Sequence, residues 1–104
     1  MFARNVTFRM KSNKLSDYNR ILENDVLPLL HKQKGFKEEI TLANSANQDV
    51  IAISLWENKA SADAYNTNSY PEVLKAFASC IDGTPQVRTF EAVTSTFHNT
   101  LTAV

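Results

Sequence analysis

The side chains of this sequence that could act on a small molecule are mostly aromatic or hydroxyl-bearing. Tyr65 could donate a hydrogen bond to a phenol or an enolate, and Trp56 could stack on a flat ring. Phe8 and Phe77 could add apolar walls, and Arg4 a positive charge. His31, one of two histidines, follows Leu29 and Leu30 and could reach a pocket rim. Each has an ordinary packing reading as well. Tyr65 fits a core aromatic with its hydroxyl at the rim, Trp56 an interface residue, and His31 a solvated residue near a helix C-terminus. Tyr70, just before Pro71, reads as packing at a helix entry, and His98 lies in the tail. Hydrogen bonding to, and stacking on, an aromatic ring is the chemistry such a set supports. No convergent acid–base pair is visible.

Composition removes several function classes. The 104 residues carry 11 Lys+Arg and 11 Asp+Glu, a formal net charge of zero. A nucleic-acid binder or a polybasic membrane-surface module normally carries a basic excess. Cys80 is the one cysteine, so neither an internal disulfide nor a cysteine-cluster metal site can form. Its place near Phe77 and Ile81 suits a small buried hydrophobe. The segment from Asn44 to Asp49 reads as a turn, since Asp49 is its one charged oxygen donor; no metal site is expected. With two glycines, Gly35 and Gly83, a glycine-built phosphate loop is absent. No apolar run approaches the roughly 20 residues of a membrane span. Arg4, Asn5 and Arg9 interrupt any N-terminal signal sequence, so the expected compartment is a reducing cytoplasm.

The elements that would position these side chains follow from hydrophobic period. Residues 2–10 alternate, with Val6, Phe8 and Met10 on one face and Asn5, Thr7 and Arg9 on the other, as in a half-buried strand. From Leu15 the step becomes three and four through Tyr18, Leu22, Val26, Leu29 and Leu30, which predicts a helix over 15–34. Pro28 should kink it by deleting the bond to the Asn24 carbonyl, and Gly35 should end it. Residues 36–43 and 50–56 read as an antiparallel strand pair. Asn58 caps a helix starting at Lys59 or Ala60, and Pro71 opens a second one carrying Val73, Leu74, Phe77, Ala78 and Ile81. Gly83 and Pro85 should stop it before a last strand over 86–97, with a tail from 98 to 104. The order β-α-β-β-α-β is that of one ferredoxin-like α+β domain, an antiparallel four-stranded sheet with two helices on one face.

The uncovered sheet face should receive Asn5, Thr7 and Arg9, with Val50, Ala52, Ser54 and Trp56 from the third strand. That mixture is less charged than a solvated face, and a second copy of the chain is the favoured cover. If Val6 and Phe8 face the helices, Arg4 rather than Asn5 points inward, although a bulge could reverse this.

Several short segments, in order, carry a family resemblance. They are Val26-Leu27-Pro28-Leu29-Leu30, Gln33-Lys34-Gly35-Phe36, Ile53-Ser54-Leu55-Trp56-Glu57, Ala64-Tyr65, Ser69-Tyr70-Pro71 and Gly83-Thr84-Pro85-Gln86-Val87. Together they resemble the antibiotic biosynthesis monooxygenase domains of the dimeric α+β barrel superfamily. The resemblance implies a homodimer joined through its sheets. It also implies a monooxygenase, free of cofactor, acting on a small aromatic or quinol-type substrate. There the substrate is itself the reductant, and the protein supplies a dry pocket, a proton acceptor and hydrogen bonds to an enolate. The alternative is a non-catalytic, ligand-binding or stress-associated dimer of the same fold. The family's haem-degrading branch uses a strand-one Asn, matched in type by Asn5. Its helical Trp and His fall at Tyr65 and Lys75 here, which argues against haem degradation. The catalytic candidates are therefore Asn5, Tyr65 and His31. Those for substrate binding are Arg4, Phe8, Trp56, Tyr65 and Phe77.

Overall fold

The computed structural model describes residues 1–94 and Thr96. Its elements are β1 (Phe2–Met10), α1 (Leu15–Ile21), a π-helical turn (Leu22–Val26), α2 (Leu27–His31), β2 (Phe36–Asn44), β3 (Asp49–Trp56), α3 (Lys59–Asn68), α4 (Tyr70–Phe77) and β4 (Ile81–Glu91). The strands lie in the order β2-β3-β1-β4, with every neighbouring pair antiparallel. This is the ferredoxin-like arrangement, with helical layers on one sheet face.

Pro28 acts through the turn before it. The Leu27 N–H reaches back to the Leu22 carbonyl, so the helix widens to a π-turn just ahead of the proline and continues instead of breaking. The helix ends at His31, short of residue 34. The Lys32 and Gln33 N–H groups bond the Leu29 and Leu30 carbonyls in a tightened final turn. Gly35, at φ +82°, therefore belongs to the turn into β2 and does not cap the helix directly. The second crossover starts where expected: Asn58 Oδ1 accepts the Ser61 N–H at 2.9 Å, and Pro71 sits in the first turn of α4.

The expected role of Gly83 is corrected. Helix α4 stops at Phe77, and Ile81 already opens β4. Cys80 lies in the connecting turn instead of a helix stripe, fully buried, its carbonyl accepting the Lys11 N–H at 2.8 Å. Gly83 takes φ +78° inside β4, where Thr7 faces Gln86 but Arg9 faces Asp82. The longer β4 segment bulges there, and Pro85 is tolerated on this edge strand. The described strand runs from Ile81 to Glu91, not over 86–97. Ser95, Phe97 and the 98–104 tail with His98 lie outside the described residues.

The face assignment of β3 is also corrected. Ala52 stands across from Val6 and Ser54 across from Arg4, so Val50, Ala52, Ser54 and Trp56 all face the helices. Trp56 is fully buried, its ring centroid 4.9 Å from Tyr65 and 5.5 Å from Phe36. The open face keeps Asn5, Thr7 and Arg9. It adds Ile51, Ile53 and Leu55, with Ile40 and Leu42 from β2 and Phe90 from β4. It is far more apolar than the sequence pattern suggested.

Candidate active site

The even-numbered residues of β1 turn toward the helices, which settles the choice between Arg4 and Asn5. Arg4 enters the space between sheet and helices, while Asn5 lies on the open face across from Ile53 and Arg88. Arg4 is only 3% exposed. Its Nη2 donates to Asn66 Oδ1 of α3 at 2.7 Å. Its guanidinium carbon stands 4.1 Å from the Tyr70 ring centroid and 5.1 Å from that of Tyr65, a cation–π arrangement on two rings. Among the described residues, the ion pairs join Arg9 to Asp49, Lys14 and Arg20 to Asp17, and Lys59 to Asp63; none involves Arg4.

Ser54 sits beside Arg4 on the next strand, and its Oγ accepts the Trp56 indole N–H at 2.9 Å. On the far side of Ser54, in the same row, stands Glu39 of β2. The Thr41 hydroxyl donates to Glu39 Oε2 at 2.9 Å. Burial holds the Glu39 pKa above its ordinary value, with the Thr41 hydrogen bond opposing.

These groups open onto a cavity of about 60 Å³. Val6, Phe8, Leu22, Val26, Leu30, Val73, Phe77 and Ile81 make its apolar walls, with Tyr18, Tyr65 and Tyr70 among them. Leu22 and Val26 come from the π-turn, whose widened geometry presents them to the cavity. Burial pushes the Tyr65 phenol up to about 12 against the opposing pull of Arg4. Burial likewise pushes Tyr18 to about 12. The Tyr70 phenol is raised mainly by burial, with the adjacent Arg4 guanidinium opposing, and its buried hydroxyl makes no well-aligned hydrogen bond among the described residues.

Of the residues singled out from sequence, Arg4, Phe8, Tyr65 and Phe77 meet at this cavity. Trp56 does not line it. The indole is sealed behind Ser54 and Tyr65 and, contrary to the sequence expectation, offers no face for a substrate to stack on. His31 is exposed, edge-on to Phe36 at 5.5 Å and away from the cavity lining. Asn5 faces away from it. Sequence reasoning missed Glu39, Ser54, Asn66 and the cavity position of Tyr70. The one available signal was a carboxylate two residues from a threonine within a strand, Glu39 and Thr41. Among the described residues, no group of three or more His, Cys, Asp or Glu could hold a metal ion. No helix there is long and apolar enough to cross a membrane.

Neither a protein-family model nor a curated protein sequence matches the chain. Solved structures do. The NE2512 protein of unknown function from Nitrosomonas europaea superposes with a TM-score of 0.75 at 16% identity, covering 93% of each chain. A candidate antibiotic biosynthesis monooxygenase from Bordetella bronchiseptica gives 0.74 at 17% identity, over 89% of this chain and 97% of that one. SnoaB, a cofactor-independent oxygenase from Streptomyces nogalater, gives 0.73 at 13% identity, over 93% and 97%. The chain thus has the fold shared by the antibiotic biosynthesis monooxygenases, as its segment order suggested. At these identities the likeness speaks to fold alone.

Proposed function

We propose that this protein is a cofactor-independent monooxygenase acting on a small aromatic hydroxyl compound in the cavity between sheet and helices. The observation that carries this reading is the row Arg4–Ser54–Glu39 along the floor of an otherwise apolar cavity. Glu39 is the proton acceptor. Its desolvated carboxyl keeps more affinity for a proton than an exposed one, which brings it nearer the working pH of a general base. Arg4 and the Tyr70 hydroxyl, at the other end of the row, hold a polar group of the substrate and so turn its hydroxyl toward Glu39. The apolar walls keep water from the electron-rich intermediate.

The overall reaction balances without another reductant. At a ring carbon opposite a hydroxyl, one atom of O₂ becomes the new carbonyl oxygen. The other leaves as water with the ring hydrogen and the hydroxyl hydrogen, giving a quinone. All four electrons taken up by O₂ come from the substrate. Aerobic and anaerobic incubation with anthrones and with phenols whose carbon opposite the hydroxyl carries hydrogen tests this. One O₂ should disappear per product formed, and labelled O₂ should place one atom in the quinone and one in water. Glu39→Gln should lower turnover by roughly 10²- to 10⁴-fold while the aromatic still binds. Binding with no oxygen uptake across such a panel would leave a non-catalytic ligand carrier instead. The polar groups converging on the cavity favour the catalytic reading.

The protein works as a homodimer through its open sheet face. Ile40 and Leu42, each about half exposed, pair with Ile53 and with Ile51, which is about a third exposed, and Phe90, about half exposed, lies across β1 beside Ala3. A chain of zero net charge has no long-range repulsion against its own copy, and such a patch marks an interface.

A further inference from the structure

Arg4 is a nearly fully buried cation with no carboxylate within 4 Å among the described residues. A guanidinium has five N–H donors, and the hydrogen bond it donates to a side chain goes to Asn66. A buried charge without a counterion is costly, and the two tyrosine rings offset only part of that cost. The Tyr70 hydroxyl beside it is buried too and, apart from the Arg4 guanidinium itself, has no partner for its proton among the described residues. Both features leave unused donors at the Arg4 end of the cavity. A negatively charged acceptor is what would satisfy them, and a planar guanidinium matches a carboxylate in two parallel hydrogen bonds.

The other end differs. Glu39 cannot host a second negative group, but its carboxyl can accept a hydroxyl proton. Arg4 and Glu39 are separated by the single strand carrying Ser54, so their backbones lie about 10 Å apart, two strand spacings. A ligand that meets both side chains must bridge the row, as one substituted six-membered ring can. At about 60 Å³ the cavity is smaller than the roughly 150 Å³ space known to take a benzene. A single ring therefore needs the cavity walls to move apart, and a fused three-ring system needs far more room.

We infer that the ligand of this cavity is a single-ring aromatic carboxylate bearing a hydroxyl, its carboxylate held by Arg4 and Tyr70 and its hydroxyl directed to Glu39. The inference rests on the reading of this cavity as a substrate site and narrows the substrate class.

Anaerobic titration with 3-hydroxybenzoate and 3,4-dihydroxybenzoate, in which the carbon opposite the 3-hydroxyl carries hydrogen, against their methyl esters tests it without turnover. Calorimetry supplies the affinities, and the fluorescence of Trp56, the chain's one tryptophan, reports events beside Ser54. The acids should bind at least tenfold tighter than the esters. Arg4→Gln should erase that preference, and Tyr70→Phe, which keeps the ring, should weaken acid binding severalfold. Both variants are first checked for folding by circular dichroism. Equal affinity for acid and ester, no binding of either, or tighter binding of a three-ring anthrone would each overturn the inference. Selective acid binding with no oxygen uptake would leave it standing and sink the oxygenase reading. Oxygen-dependent turnover of neutral phenols alone would do the reverse.

Discussion

Arg4 on β1 and Glu39 on β2 both stand directly across from Ser54 on β3, so a cation and a carboxyl flank one serine in a single row of the sheet. Backbone hydrogen bonds set that spacing, so it is as rigid as the sheet itself. The Trp56 indole pins the serine from behind. A site built on strands in this way holds its polar groups more firmly than one built on loops.

Glu39 ties this arrangement to acidity. Burial raises its pKa in the folded protein. Between the unfolded value and that raised value, the native state holds more protons than the unfolded one. Stability therefore falls as pH rises through that window, and the loss is complete above the raised value. Glu39→Gln removes the effect. Urea unfolding from the acid range to neutrality should show the wild type losing ground to the variant as pH rises. Parallel curves would contradict the burial of this carboxyl.

The three tyrosines should titrate late. Tyr18 and Tyr65 are pushed to about 12 and Tyr70 is also raised, all chiefly by burial. Ultraviolet absorbance should show almost no tyrosinate near the ordinary phenol value of about 10. The same linkage drains stability as pH climbs from there toward 12. Unfolding should then release the three phenols together. A tyrosine that ionises near 10 in the intact fold would place its hydroxyl in water.

Gly35 should tolerate no side chain. It holds φ +82°, and an added Cβ would stand 2.3 Å from Ser61 Oγ and 2.7 Å from Ser61 Cβ. Gly35→Ala should cost about 2–4 kcal/mol, combining steric conflict with left-handed backbone strain. A drop in melting temperature of about 4–8 °C accompanies each kcal/mol in a domain of this size. Adding Ser61→Gly should recover the steric part and leave the backbone part. Gly83, with nothing within 4 Å of its Cβ position, should show the backbone cost alone.

The open sheet face should govern assembly. Light scattering at micromolar concentration should give twice the chain mass. Leu42→Glu, which places a charge amid Ile40, Ile51 and Ile53, should halve it while circular dichroism stays unchanged. A monomeric wild type would remove the dimer from the proposal.

Much of the architecture was legible along the chain because its causes are local. The alternation of Val6, Phe8 and Met10, the three- and four-residue steps from Leu15, the Asn58 cap and Pro71 at a helix start each need only neighbouring residues. Gly83 misled because a positive φ serves a helix end and a strand bulge equally well. Only the pairing register, Thr7 with Gln86 and Arg9 with Asp82, distinguishes them.

The site needed the tertiary structure for the same kind of reason. Strand β3 is apolar on both faces, since one covers the core and the other forms the exposed apolar patch. Its own pattern could not say which side Ser54 and Trp56 occupy. Glu38 and Glu39 are adjacent, and a pleated strand sends one outward and the other in. The irregularity between Phe36 and Glu38 decides which. By itself, then, the sequence determined which elements form and in what order, through local period, caps and turns. Pairing with neighbouring strands decided that Arg4, Ser54 and Glu39 share one row, because a register is a relation between distant segments and each segment carries only half of it.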